Sequence, residues 1–173
     1  ATLAMLPSQE AQLPLGTMKS LLLSRGYNEA ITYSFVDPKI QNALFPDVKG
    51  MVLPHPISSD MSVMRVSLWP GLLGASAYNQ KRQQQRIRLF ETGLRFIPQQ
   101  DAPNGVLQQQ VIGGVVAGRR NEEHWDLGDS PVDFFDAKAD VEALLALTGK
   151  QGEFQFVTGE HSALHPGMTA KIL

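Results

Sequence analysis

The chain has 173 residues, 43% of them apolar, and a formal charge of −2. That is enough for one domain with a sizeable core, and too little charge for a global field toward nucleic acid or an anionic membrane. There is no cysteine, which excludes a disulfide framework, a thiolate zinc site and a thiol nucleophile, and fits a reducing compartment.

Residues 1–14, with Pro7 and Pro14, read as an N-terminal arm. Leu15, Met18, Leu21 and Leu22 then follow helical spacing, and Gly26 stands where that helix would end. Ala30 to Val36 (AITYSFV) is rich in β-branched and aromatic residues and predicts a strand. Asp37-Pro38 predicts a second, short helix, because Asp accepts hydrogen bonds from first-turn amides and Pro at the first position gives up no needed donor. Met51 to Leu53 predicts a short strand, and Ser67 is placed to cap a helix from Leu68 to about Gln84. A strand from Ile87 to Phe96 follows, broken at Gly93, then a loop over 99–105 and a strand over Val111 to Val116. Gly113 and Gly114 there allow close packing of a central strand. Arg119 to Pro131 reads as a polar loop. Asp133 or Asp136 caps a helix that ends near Thr148-Gly149, Phe154 to Val157 is a further strand, and Lys171 to Leu173 reads as the opening of another, as if the chain continued. No apolar run approaches the roughly 20 residues of a membrane helix. The opening Ala-Thr-Leu-Ala-Met-Leu-Pro has no basic stretch ahead of an apolar one, as a signal peptide would. Strands and helices alternate without regular βαβ units, so the expected fold is α+β, a mainly antiparallel sheet flanked by helices, in one domain over 15–173.

Recognised chemistry is sparse. Gly113-Gly114-Val-Val-Ala-Gly118 has the glycines of a phosphate loop but no Lys-Ser/Thr, and it lies in a strand. His161 and His165 have the spacing of two ligands on one helix face, but Pro166-Gly167 argues for a turn, and no metal site is expected. Asp133, Asp136, Asp140 and Glu142 suggest a cation site less than acids at the positive end of a helix. Trp125, beside His124, either lines a pocket or anchors a loop. In YNQKRQQQRIRLFETG (78–93), Lys81, Arg82, Arg86 and Arg88 suggest RNA contact, but no aromatic is interleaved between Gln80 and Arg88 for base stacking. Cations at a helix C-terminus have a structural explanation as well.

Five runs carry a family resemblance. They are RGYNEAITYSFVDP (25–38), PISSDMSVMRVSLWPGLLGASAYNQKRQQQRIRLFETGLRF (56–96), NEEHW (121–125), VDFFDAKADVEALL (132–145) and LHPGMTAKI (164–172). Together, and in this order, they resemble the phenylalanyl-tRNA synthetase beta-subunit family of bacteria, in its central module with the fold of a class II synthetase catalytic core. The resemblance implies an alpha2-beta2 tetramer whose alpha chain binds ATP, Mg and phenylalanine. It implies a beta module that does not catalyse but packs against alpha and helps align tRNA(Phe), in the cytoplasm. Editing of mischarged tRNA would belong to another beta domain. Residues 15–38 resemble the class II element that forms subunit interfaces, which makes Met18, Leu22, Tyr27, Tyr33 and Phe35 interface candidates. The strand from Arg86 to Phe96 resembles the one that presents an Arg to the α-phosphate of ATP, and the register puts Ile97 at that position, beside Arg95. Two other functions stand against this one. An autonomous ATP-dependent ligase would need Arg95 and Arg119 or Arg120 to converge on a triphosphate, and a tRNA-binding module would use the 81–88 basic stretch.

Overall fold

A computed structural model describes residues 13–173; the expected arm therefore lies almost wholly outside the described residues. Helix α1 (Leu15–Ser24) is the first element. It stops where Gly26 turns to φ +81, a conformation that glycine adopts without Cβ penalty. Strands β1 (Asn28–Glu29) and β2 (Phe35–Val36) follow, then α2 (Pro38–Leu44) and β3 (Val63–Met64). The Asp37 side chain caps α2 by accepting from Lys39 N at 2.8 Å, as expected.

Of the expected strand over Ala30–Val36 only Phe35–Val36 forms, with β1 ahead of the predicted range, and the reason is a change of partner. β1 runs parallel to β4 (Arg86–Pro98), with Asn28 opposite Leu89, whereas β2 pairs antiparallel with β3, Phe35 opposite Met64. Between them, Thr32 trades ladder bonds for side-chain ones: its amide and hydroxyl both donate to Glu91. The expected strand at Met51–Leu53 is a single bridge, Val52 to Val63.

Helix α3 (Trp69–Gln80) is shorter than expected. The Ser67 hydroxyl accepts from Trp69 N at 3.2 Å near its start, and the chain reverses at Gln83, which has φ 65. β4 runs unbroken through Gly93 and pairs over its whole length with β5 (Val106–Gly118) in a long antiparallel hairpin. The strand order is β1-β4-β5, so β5 is an edge of this sheet and β4 its centre, against the expectation for the glycine-bearing strand. Gly113 faces Leu68 and Leu72 near α3, while Gly114, on the other face, lies against Tyr27. α4 (Phe134–Ala146) begins in a capping box: Asp133 accepts from Phe135 N and Asp136 N, and Asp136 accepts from Asp133 N. Both acids thus take part. The last pair is β6 (Phe156–Thr158) with β7 (Ala170–Ile172), antiparallel.

The long hairpin therefore has α3 on one face and α1 with α4 on the other. On the second face Leu22, Tyr27 and Phe90 form a buried cluster with Ile112, Val116 and Leu144 packed on it. Burying side chains of this size gives roughly 1.5–3 kcal/mol each, which is what holds the two helices to the sheet.

Candidate functional site

Period-two alternation along β4 decides which charged side chains meet which layer. Arg86, Arg88 and Phe90 share the α1/α4 face; Glu91, Arg95 and Ile97 share the α3 face. Each face holds a buried ion pair.

On the α3 face, Arg65 Nη1 donates to Glu91 Oε1 at 2.7 Å and its Nε to Leu94 O at 2.9 Å. Both side chains are almost fully buried. Thr32 Oγ1 donates to Glu91 Oε2 at 2.7 Å, so each carboxylate oxygen is satisfied. Nearby, Gln41 is buried and braces β3 with both ends of its amide: Nε2 donates to Met64 O and Oε1 accepts from Val66 N.

On the other face the centre is Asp140. Oδ1 accepts from Arg25 Nε at 2.6 Å; Oδ2 accepts from Tyr27 Oη at 2.6 Å and Arg88 Nη1 at 3.0 Å. Burial first, and then the hydrogen bond to Asp140, push the Tyr27 hydroxyl well above the usual tyrosine range. Asp140 is thus a buried ion-pair hub and not one of the helix-end acids, a correction to the expectation. Asp136 has the expected role: the amide of Asp133 above all, with Arg120 alongside, holds its carboxyl below the usual carboxylate range. Glu142 pairs with Lys138 one helical turn away.

The interface candidates divide. Leu22 and Tyr27 are buried in the domain's own core, because the hairpin covers the inner side of α1; that corrects their placement as surface contacts. Met18 and Phe35 are half-buried, and Tyr33 is 72% exposed. Around Tyr33 the structure gathers residues that the sequence did not single out. Ile31 is 91% exposed, and Ile40 and Tyr78 are exposed too. With Phe35 and Pro70 they line an open groove of about 930 Å³ between the 31–40 segment and α3.

The basic quartet also divides. Lys81 and Arg82 are exposed past the end of α3, with the Arg82 guanidinium 3.4 Å above the Tyr78 ring. Arg86 and Arg88 turn inward with the strand alternation, and Arg88 is 9% exposed in the Asp140 pair. The four do not form one RNA-facing stripe, which corrects the 81–88 expectation.

The ligase alternative fails on distance. Arg95 pairs across the hairpin with Gln109, which accepts from its Nε and Nη2 at 2.9 and 2.7 Å. Arg119 and Arg120 follow Gly118, which stands opposite Arg86. Nine residues of strand separate Arg86 from Arg95, about 30 Å at the usual rise. Arg119 pairs with Asp129, and Arg120 with Asp133 and Asp136.

His161 packs in a three-ring cluster with Phe45 and Trp69, centroids 5.0–5.5 Å apart. Among the described residues no three His, Asp or Glu side chains are placed to hold a metal ion. Trp125 is 91% exposed and stacks on His124, so within this chain it neither lines a pocket nor anchors its loop.

What the sequence missed had a signal. Arg65 in Val-Met-Arg-Val and Glu91 in Leu-Phe-Glu-Thr are lone charges in apolar runs, and charged residues become buried as pairs. Pairing them requires knowing which segments meet.

Comparison with known proteins gives two kinds of likeness. The chain is 58% identical over 172 residues to the phenylalanine–tRNA ligase beta subunit of Sodalis glossinidius, covering 99% of this chain and 22% of that protein. It is 51% identical to the same subunit of Aliivibrio fischeri, covering 100% of this chain and 22% of that one. It thus spans about a fifth of the length of these relatives. In fold it is similar to a pyrrolysyl tRNA synthetase of Desulfitobacterium hafniense, with TM-score 0.62 and 17% identity over 91% of this chain and 52% of that one. It is also similar to an ATP phosphoribosyltransferase regulatory subunit/histidyl-tRNA synthetase of Bacillus halodurans, with TM-score 0.54 and 16% identity over 82% of this chain and 34% of that one. These two share its class II catalytic-core-like architecture. The model of the phenylalanyl-tRNA synthetase beta chain CLM domain matches residues 1–173, and the chain belongs to that family.

Proposed function

We propose that this chain is a non-catalytic module of a phenylalanine–tRNA ligase, whose work is to seat the chain that carries the active site. The observation that carries this is the apolar groove along residues 31–40. Ile31 and Tyr33 stand in water there although the domain has a core to receive such residues. A contiguous apolar surface of this kind is characteristic of a protein–protein contact, and covering each large side chain is worth about 1.5–3 kcal/mol. The partner is the alpha subunit, in an alpha2-beta2 assembly with a second beta chain, in the cytoplasm. ATP, Mg and phenylalanine are handled by alpha, which attaches the amino acid to tRNA(Phe).

The lack of chemistry in the module itself has a physical basis. Activating a carboxylate with ATP requires a cationic fork free to hold phosphate. On β4 the Arg95 fork is committed to Gln109 and its neighbour on the same face is Ile97. Calorimetric titration of ATP with Mg into the purified chain tests this. The expected result is no saturable heat that depends on Arg95. Saturable binding that disappears in Arg95→Ala would overturn the proposal in favour of an autonomous nucleotide site.

A further inference from the structure

We infer that the cleft between α1, the start of β4 and α4 is a phosphate-binding site. The cleft holds about 610 Å³ and carries Arg25, Arg86, Arg88 and Arg120 against Asp133, Asp136 and Asp140. One end is self-contained: Arg120 is held by Asp133 and Asp136, both of which also serve the α4 cap. The other end is not. There Arg25 and Arg88 share one carboxylate, Asp140, whose two oxygens already accept three hydrogen bonds, one of them from Tyr27, and Arg86 stands beside them without a carboxylate in hydrogen-bond reach.

This leaves donors without acceptors on two of the arginines that line the cleft. Arg88 Nε is buried without a partner among the described residues, although the side chain is only 9% exposed. Burying such a donor unpaired costs roughly 1–3 kcal/mol. The terminal nitrogens of Arg86 have no hydrogen-bond acceptor among the described residues. Its Nη1 lies 3.7 Å from Glu122, a side chain 86% exposed and screened by water. Arg86 is nevertheless held in place, with Nε 3.4 Å from Arg120 O and its fork against Gly26, where a Cβ would stand 3.0 Å from Nη2. Along the cleft four guanidiniums face three carboxylates, and two of those carboxylates are taken up by Arg120. A carboxylate offers two oxygens. A phosphate offers three or four, and so suits three guanidiniums approaching from α1 and from two positions on β4. Two sources share that chemistry: a free phosphate compound, and the backbone of an RNA.

The test is titration of inorganic phosphate into the whole chain at low ionic strength, followed by backbone amide NMR. Saturable shifts at Gly26, Arg86 and Asn121 are expected, with affinity at least tenfold weaker in Arg86→Gln. Asn121 also lines the cleft and takes no part in the buried ion pairs, so Asn121→Asp, which brings a carboxylate to the site, is expected to weaken binding similarly, and covers the case that Arg86→Gln does not fold. Absence of saturable shifts in the wild-type chain, or equal binding by a folded variant, would overturn the site. The source is read separately from tRNA binding by the wild type and Asn121→Asp. If RNA supplies the phosphate, the variant loses affinity and the slope of log K against log salt falls by about one. If tRNA binding is unchanged while phosphate binding is lost, the ligand is a free phosphate compound. The RNA arm rests on the proposed role in a tRNA ligase; the phosphate arm stands without it.

Discussion

Asp140 joins α1, β4 and α4 through one carboxylate, and at the residue scale it is the most consequential side chain in the fold. Replacing it with Asn would leave the Arg88 charge buried without its counter-ion. Removing one member of a buried pair costs about 3–5 kcal/mol, so Asp140→Asn is expected to lower the unfolding free energy measured in urea by that amount or to leave the chain unfolded. Tyr27→Phe removes only a hydrogen bond and is expected to cost about 0.5–1.5 kcal/mol at neutral pH. It has a second signature. The Tyr27 hydroxyl is held protonated in the fold, its pKa raised above the ordinary value. The stability it contributes is therefore complete below about pH 10, where unfolded tyrosine ionises, and declines as pH rises beyond that. Denaturation followed from pH 8 to 11 should show a steeper alkaline loss in the wild type than in Tyr27→Phe. Asp136 has the opposite sign: its folded pKa is depressed, so its contribution is present at neutral pH and fades as pH falls through that value. Asp136→Asn should flatten the acid limb of the same stability profile.

At the element scale the long hairpin organises everything else, and one of its glycines lies directly under a buried side chain. A Cβ at Gly93 would stand 2.4 Å from Arg65 Nη2. Gly93→Ala is expected to displace the Arg65–Glu91 pair and to cost roughly 1–3 kcal/mol, as overpacking does. Thermal unfolding measures it, and a neutral result would mean that Arg65 has another place to go. The sequence treated Gly93 as a strand break because glycine usually weakens strands; a buried arginine crossing the sheet needs the missing Cβ. The helices were legible because their signals are local. Asp37-Pro38, Asp133 with Asp136, and Gly26 act within one turn. The β1–β2 split was not, because the switch from β4 to β3 depends on segments 30 to 60 residues away. Asp140 was misread for the same reason: its position on α4 is local, and its partners Arg25 and Arg88 are not.

For the whole molecule, the class II architecture and the family were legible because five motifs occur in order along the chain. Which side of the 15–38 element faces a partner was not, since core and interface draw on the same residue types. Burial separates them: Leu22 and Tyr27 go inward, and Ile31 and Tyr33 outward. The exposed pair should therefore govern association without governing folding. Ile31→Asp and Tyr33→Asp are expected to leave the unfolding free energy within about 0.5 kcal/mol of wild type, as exposed substitutions usually do. The most direct test of the interface role is the mass, by light scattering, of this chain mixed with a phenylalanine–tRNA ligase alpha chain. A mixed complex is expected, and its loss in the Ile31→Asp, Tyr33→Asp double variant. No complex between two folded chains, or a complex indifferent to that variant, would contradict the interface role.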